Sequence, residues 1–219
     1  NITNISADDS KVNMKKLKSK YSFSQFLKRF SIVKEEMQID LDEFDLSYYT
    51  YGMSIYKNMP LIEPLETKEV KKIYEFVIVL DTSYSINENL AKRFISNTYS
   101  ILSTSNMFYK SCKVHIIQCD DRIRKDDVIS NQNEMDQLLN SFTLVGKGNT
   151  DFRPVFSYVN DLINQKVFQN LCGLLYFTDG KGIYPKKSPA YKTAFIYLED
   201  YDQSKVPSWA IQYRLEEKL

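Results

Sequence analysis

The amino-acid sequence predicts an α/β fold, a three-layer α/β/α sandwich with a mostly parallel central sheet, one antiparallel edge strand and a helical N-terminal extension. Short runs of β-branched and aromatic residues recur between residues 75 and 215. Such runs are typical of strands buried on both faces of a parallel sheet. Segments with helical periodicity separate these runs, and strands that alternate with helices favour crossover connections within one sheet.

Length and composition indicate a globular protein with one main domain and an appendage. The 219 residues are 43% hydrophobic and 26% charged, which argues against disorder. We expect a polar, lysine-rich flank or linker over residues 1–21, a helical and extended connector over 22–72 that docks on the main domain, and the α/β domain over 73–219. Since the chain begins at Asn1 without methionine, we expect it to be part of a longer protein.

Charge and hydropathy exclude several classes of partner. The net charge of +1 does not favour nucleic-acid binding, which needs uncompensated Lys and Arg. No apolar run has the ~20 residues of a membrane span, and no signal peptide opens the chain. Three cysteines without a C-x-x-C pair suggest structural thiols in a reducing compartment. We therefore expect a cytoplasmic protein that binds neither nucleic acid nor membrane.

The N-terminal third predicts one helix and a linker. Residues 22–36 have the periodicity of an amphipathic helix, with Ser22 as a possible N-cap and an inner face formed by Phe23, Phe26, Leu27 and Phe30. From Asp40 to Pro64 this pattern is lost, and two prolines favour an extended linker.

The main domain predicts alternating strands and helices. Strands are expected over 75–81, 114–120, 173–179, 193–199 and 209–215, and an antiparallel edge hairpin over 122–129. Helices are expected from Asn87, as N-cap, to about Ser103, from Asn133 to Asn140, and from Pro154 to about Gln165.

Oxygen-bearing side chains lie after two of these strands and in the loop that precedes the helix expected from Pro154. Ligands of open α/β sheets bind beyond the carboxyl ends of the strands. Residues predicted to meet there are Asp81, Ser83, Ser85, Thr150 and Asp179. Two carboxylates and three hydroxyls suit one hard cation, Mg²⁺ or alternatively Mn²⁺ or Ca²⁺. The same Asp81, Ser83 and Ser85 would otherwise only cap the following helix.

These motifs resemble the metal-ion-dependent adhesion site (MIDAS) of von Willebrand factor A (VWA) domains. The D-x-S-x-S turn, the threonine in a glycine-containing loop and the T-D-G sequence carry the resemblance. TDFRPVF at 150–156, the HIIQCD strand and YFTDGKGIYP at 176–185 are similar to bacterial VWA-like proteins. Longer members of that group carry an N-terminal metallopeptidase domain and accompany MoxR-type AAA+ ATPases. The resemblance covers residues 22–219 and implies a VWA fold, a single cation and an ATPase partner.

Several residues around the predicted site have more than one interpretation. Tyr84 stands between the two serines where the family has a small residue, and Asn149 replaces a glycine. Tyr84 is therefore expected on the rim of the site, together with Asp120. Asp151 either pairs with Arg153 to organise the loop, or is itself an alternative ligand of the cation or a residue directly behind the ligands.

Three functions remain open from the sequence. The leading hypothesis is a metal-dependent module that binds a partner carboxylate and forms the accessory half of a larger protein. The alternative is a metal-dependent hydrolase, a peptidase, or its C-terminal regulatory domain; within this chain the general base would have to be Asp120, Asp121 or Asp151. A third possibility is a purely structural ion. His115 is the sole histidine and lies in an apolar strand, so we expect a structural role for it and no histidine-dependent catalysis by this fragment.

Overall fold

The structure is a computed structural model, which describes residues 22–83, 86–104, 107–146, 148–198 and 201–215. The predicted flank over 1–21 and residues Tyr84 and Ser85 lie outside the described residues. The chain divides into two compact units. The first contains the described residues within Asn1–Ser31 and Ile73–Leu219, and the second is Ile32–Lys72.

The elements alternate along the chain as follows. In order they are helix α1 (22–27) with a 3-10 turn at Lys28–Phe30, strand β1 (Ile32–Phe44), α2 (Leu46–Tyr56), β2 (Pro64–Asp81), α3 (Glu88–Thr104), β3 (Phe108–Cys119), β4 (Ile123–Ile129), α4 (Gln132–Ser141), α5 (Arg153–Asn164), β5 (Leu171–Thr178), β6 (Thr193–Tyr197), a 3-10 turn at Gln203–Lys205 and β7 (Ile211–Arg214).

The sheet of the first unit has the strand order β4-β3-β2-β5-β6-β7. All neighbouring strands in this order are parallel except β3 and β4, which are antiparallel. The predicted mostly parallel sheet with an antiparallel edge is therefore confirmed. Because β2, β3 and β5 are parallel neighbours, their carboxyl ends lie at one edge of the sheet.

Helices cover both faces of this sheet. Tyr176 and Phe177 are consecutive in β5, so their side chains point to opposite faces. The Phe177 ring stacks on Phe94 of α3 at a centroid distance of 4.1 Å, whereas Tyr176 contacts Phe152, the residue before α5, at 4.8 Å. The predicted three-layer sandwich is confirmed by these opposite contacts.

Helix α1 belongs to the first unit and is shorter than predicted. Its expected inner face is buried, and Phe30 meets Phe76 of β2 edge to face at 5.5 Å. The predicted helix over 22–36 is nevertheless wrong beyond the 3-10 turn, because Ile32 begins β1 and pairs with Lys72. The helix-favouring sequence Lys34–Met37 adopts the strand conformation since its backbone hydrogen bonds go to β2.

The second unit is an antiparallel pair of strands with a helix between them. Strand β1 pairs with the first part of β2, for example Glu36 with Lys68. The predicted extended linker over 40–64 is wrong, because α2 occupies its centre with Asp45 as N-cap. The two prolines of this segment follow the helix and so do not interrupt it. No helix in the described part of the chain is long and apolar enough to cross a membrane.

His115 and the cysteines are buried parts of the core. The His115 Nδ1 atom lies 3.0 Å from the Asp126 carboxylate, which also accepts a 2.9 Å hydrogen bond from the Tyr158 hydroxyl. The His115 ring thus has a hydrogen-bond partner within the core, which agrees with its expected structural role. Cys112, Cys119 and Cys172 are free and buried, as expected of structural thiols.

Candidate metal centre

The Asp81 carboxylate lies at the carboxyl edge of the sheet and has no exposed surface. One oxygen accepts a 2.9 Å hydrogen bond from the Ser83 N–H, and the other accepts a 2.6 Å bond from the Thr178 hydroxyl. Burial raises the pKa of Asp81, the bonds from Thr178 and Ser83 lower it, and the negative charge of Asp179 raises it further. Among the ion pairs of the described residues, none includes Asp81.

A buried carboxylate of this kind is costly unless a positive charge accompanies it. Asp81 is held in place by the end of β2, whose preceding residues Ile78–Leu80 are fully buried. The Thr82 N–H then donates to the Cys119 carbonyl at 3.0 Å, which joins the turn to the neighbouring strand β3. The backbone therefore holds Asp81 in an environment that favours a cation.

The described residues of the turn after Asp81 do not supply the cap of helix α3. Asn87 precedes the helix, and its side chain accepts a 2.9 Å hydrogen bond from the Asn89 N–H. The predicted cap at Asn87 is thus present, and the alternative role of Asp81 as a helix cap is not needed. Ser83 is buried beside Asp81, whereas Ser85 lies outside the described residues.

Asp179 follows β5, next to β2 in the sheet. It is largely buried, and one oxygen accepts a 3.0 Å hydrogen bond from the Lys181 N–H. The Lys181 ammonium lies 3.5 Å from the other oxygen, but its side chain is 74% exposed, so this pair is weak. Gly180 has a φ of +83°, which turns the chain sharply after Asp179. Thus the two predicted carboxylates lie at the ends of adjacent strands.

The loop that carries Thr150 lies against the Asp81 turn. Gly146 is so close to Thr82 that a Cβ atom there would come within 2.3 Å of the Thr82 Oγ1. Thr150 itself is half-buried. Asp151 forms the predicted ion pair with Arg153 at 2.6 Å, and the hydrogen bonds from this guanidinium lower the pKa of Asp151.

The candidate general bases for hydrolysis are occupied by basic side chains. Asp120 pairs with Arg124 at 2.7 Å and Asp151 pairs with Arg153. Asp121 is 52% exposed and also contacts Arg124. Since a carboxylate held by a guanidinium is a poor proton acceptor, this arrangement does not favour the hydrolase alternative.

The donor set fits a hard cation. Asp81 and Asp179 supply carboxylate oxygens, and the buried Thr82 hydroxyl has no hydrogen-bond partner among the described residues. Within the same residues, no group of three or more His, Cys, Asp or Glu side chains forms a possible metal site. Carboxylate and hydroxyl oxygens such as these are donors that Mg²⁺, Mn²⁺ or Ca²⁺ accepts.

Two contacts at the candidate site were not predicted from the sequence. Thr178 was visible as the residue before Asp179, but its bond to Asp81 depends on the pairing of β5 with β2. Arg124 lies on the edge strand β4, and nothing in its local sequence indicates that its guanidinium reaches Asp120.

Comparison with protein families finds a match over most of this chain. The model of the family described as VWA-like domain (DUF2201) matches residues 76–216. The chain belongs to this VWA-like family. The match includes Asp81, Thr150 and Asp179, and it excludes the second unit. No curated protein matches this VWA-like chain.

Solved structures similar to the VWA-like chain include three VWA proteins. A von Willebrand factor type A protein from Catenulispora acidiphila is 8% identical with a TM-score of 0.47, over 69% of this chain and 41% of that one. The mussel byssus protein PTMP1, with a zinc-occupied MIDAS motif, is 12% identical with a TM-score of 0.47, over 67% and 45%. The SpRpn10 VWA domain is 9% identical with a TM-score of 0.47, over 65% and 87%. The chain thus spans less than half the length of the first two proteins.

Proposed function

We propose that this chain is a cation-dependent protein interaction module. One divalent cation, Mg²⁺ or alternatively Mn²⁺ or Ca²⁺, would be held by Asp81, Ser83, Ser85, Thr150 and Asp179. The observation that carries the proposal is the fully buried Asp81 carboxylate, which lies beside Asp179 without a described basic partner. When bound, the cation would offer an open coordination position to a carboxylate of a partner protein.

Hydrogen bonds within the protein orient the two carboxylate ligands in the absence of a cation. The Thr178 hydroxyl and the Ser83 N–H orient the two oxygens of Asp81. The turn at Gly180 and the Lys181 N–H orient Asp179. Such preorganisation lowers the cost of ordering the ligands when the cation binds.

We further propose a MoxR-type AAA+ ATPase as the partner. The support is the resemblance of TDFRPVF and YFTDGKGIYP to VWA-like proteins that accompany such ATPases. In a longer protein with an N-terminal metallopeptidase domain, this chain would form the accessory half. Membership of the VWA-like family is consistent with this role.

The proposal is tested in two steps. Mn²⁺ binding is measured by electron paramagnetic resonance for the wild type, for Asp81→Ala and for the control Asp121→Ala, which removes a carboxylate that is 52% exposed. Capture of the purified ATPase from the same organism is then compared in Mg²⁺ and in EDTA. We expect Mn²⁺ binding and Mg²⁺-dependent capture to be lost in Asp81→Ala and kept in Asp121→Ala.

Other outcomes identify the other functions. Full capture of the ATPase in EDTA would contradict the module. Strong thermal stabilisation by Mg²⁺ with unchanged capture would assign a structural ion instead. Metal-dependent turnover of peptides by the purified chain, lost in Asp81→Ala, would assign a hydrolase.

A further inference from the structure

The Asp120 carboxylate is a buried acceptor at the end of β3. One of its oxygens accepts from the N–H groups of Asp121 at 2.7 Å and Arg122 at 3.2 Å, and from the Arg124 Nε at 2.8 Å. The other oxygen receives the Arg124 Nη2 at 2.7 Å and the Gly148 N–H at 3.2 Å. The hydrogen-bonding capacity of this carboxylate is therefore used by protein donors, so it is not available to a cation.

Burial alone would raise the pKa of Asp120. The hydrogen bonds from the Arg124 guanidinium and from the Asp121 and Arg122 N–H groups outweigh that effect and hold the pKa well below its ordinary value. Asp120 is consequently charged at neutral pH, and a charged acceptor strengthens each of the bonds that it receives.

Two of the bonds to Asp120 come from the loop of residues 146–151, of which Lys147 lies outside the described residues. The Gly148 N–H donates to the Asp120 carboxylate, and the Asp151 N–H donates to the Asp120 carbonyl at 3.0 Å. Thr150 lies between these two attachment points. Asp120 therefore restricts the position of Thr150 from both sides.

The glycines of this loop allow the close approach. A Cβ atom on Gly148 would lie 2.9 Å from the Asp120 Oδ2, and one on Gly146 would lie 3.0 Å from it. These distances are shorter than ordinary van der Waals contact, so a side chain at either position would push the loop away from Asp120.

We propose that Asp120 is a positioning residue that fixes the 146–151 loop and thereby holds Thr150 at the cation site, with Arg124 as its permanent counter-ion. The proposal rests on the proposed function, because it assigns Asp120 a role at that same site. Asp120 acts through the loop and does not touch the cation.

The test uses Asp120→Asn, which keeps the shape of the side chain and removes its charge. The matched control is Asp121→Asn, which removes the charge of the adjacent carboxylate that also lies 3.2 Å from Arg124. We expect the Mn²⁺ dissociation constant of Asp120→Asn to rise by about 10–100-fold, as for other residues that orient metal ligands. In the metal-free protein, hydrogen exchange at the Gly148 and Asp151 amides should become faster. The control should resemble the wild type in both measurements.

A second variant covers the case in which Asp120→Asn does not fold. Gly148→Ala leaves the carboxylate intact but displaces the loop, so it should weaken Mn²⁺ binding in the same way. If the wild type does not bind Mn²⁺, the proposed function fails and the site role of Asp120 fails with it. If the wild type binds Mn²⁺ but folded Asp120→Asn binds it equally well with protected loop amides, only the role of Asp120 is overturned.

Discussion

The Thr178 hydroxyl donates a 2.6 Å hydrogen bond to the Asp81 carboxylate from the neighbouring parallel strand. Both side chains are fully buried. The orientation of Asp81 therefore depends on the pairing of β2 with β5 as well as on its own turn.

Thr178→Val should destabilise the protein by about 1–3 kcal/mol, because a buried carboxylate oxygen loses its donor and the Gly180 N–H loses its acceptor. It should also weaken Mn²⁺ binding, since Asp81 is no longer oriented. Urea denaturation and Mn²⁺ titration measure the two effects. The control is Thr193→Val on the neighbouring strand β6, where the buried hydroxyl has no partner among the described residues. Equal losses in both variants would show that the bond to Asp81 is not the cause.

Asp81→Asn should stabilise the metal-free protein at neutral pH. Burial raises the pKa of Asp81, so the folded protein binds this proton more tightly than the unfolded chain does. The stabilisation from protonated Asp81 is complete below the ordinary pKa of 3.8 and is lost as the pH rises through the folded-state pKa. Removing the charge should therefore raise the free energy of unfolding and the Tm of the metal-free protein at neutral pH.

Thermal melts of wild type and Asp81→Asn in EDTA measure this effect. The difference in Tm should shrink as the pH falls from neutral towards 3.8, because the wild type gains a proton at Asp81 on passing through its raised pKa. The lowered pKa values of Asp120 and Asp151 affect both proteins alike and cancel in the difference. In saturating Mg²⁺ the wild type should become the more stable protein. A difference in EDTA that is independent of pH would contradict the role of the Asp81 charge.

Asp126→Asn should destabilise the fold without weakening the cation site. Its carboxylate joins His115 of β3 to Tyr158 of α5, and both contacts are partly buried. The expected loss is about 1–3 kcal/mol in urea denaturation. His115 lies four residues before Cys119, the partner of Asp81, or about 13 Å along the strand. A clear change in Mn²⁺ affinity, or an equal loss of stability in exposed Asp136→Asn, would argue against this assignment.

Gly146→Ala should destabilise the loop and weaken Mn²⁺ binding. The φ of Gly146 is +144°, and an added Cβ would lie 2.3 Å from the Thr82 Oγ1. We expect a loss of about 1–3 kcal/mol. Thr82→Ala removes that oxygen, so the double variant should recover part of the loss. A double-mutant cycle by urea denaturation measures the coupling, and strict additivity would show that the two residues do not collide.

The main-domain strands were predictable because burial on both faces leaves a direct sequence signal. Ile78–Leu80 and Leu174–Phe177 are continuous apolar runs, and all of these residues are fully buried. The second unit was mispredicted because its conformation depends on pairing partners distant in sequence. Ile32 joins a strand through contact with Lys72, and no local pattern contains that information.

At the candidate site, the residue types that follow the strands were predictable, but the hydrogen bonds that hold these residues in place were not. Asp81 and Asp179 end apolar runs, so their shared edge follows from parallel topology. The bond from Gly148 to Asp120 spans 28 residues and depends on the path of a loop. Sequence periodicity carries no information about such a path.

The buried cysteines leave the native chain unreactive towards thiol labels. Burial raises the pKa of Cys112 and Cys119 to about 12 and also raises that of Cys172, so little reactive thiolate forms at neutral pH. A single introduced cysteine would then carry a fluorophore or spin label without interference from the native thiols. Lys181→Cys places such a reporter two residues after Asp179, where its signal would follow cation binding in an otherwise unlabelled protein.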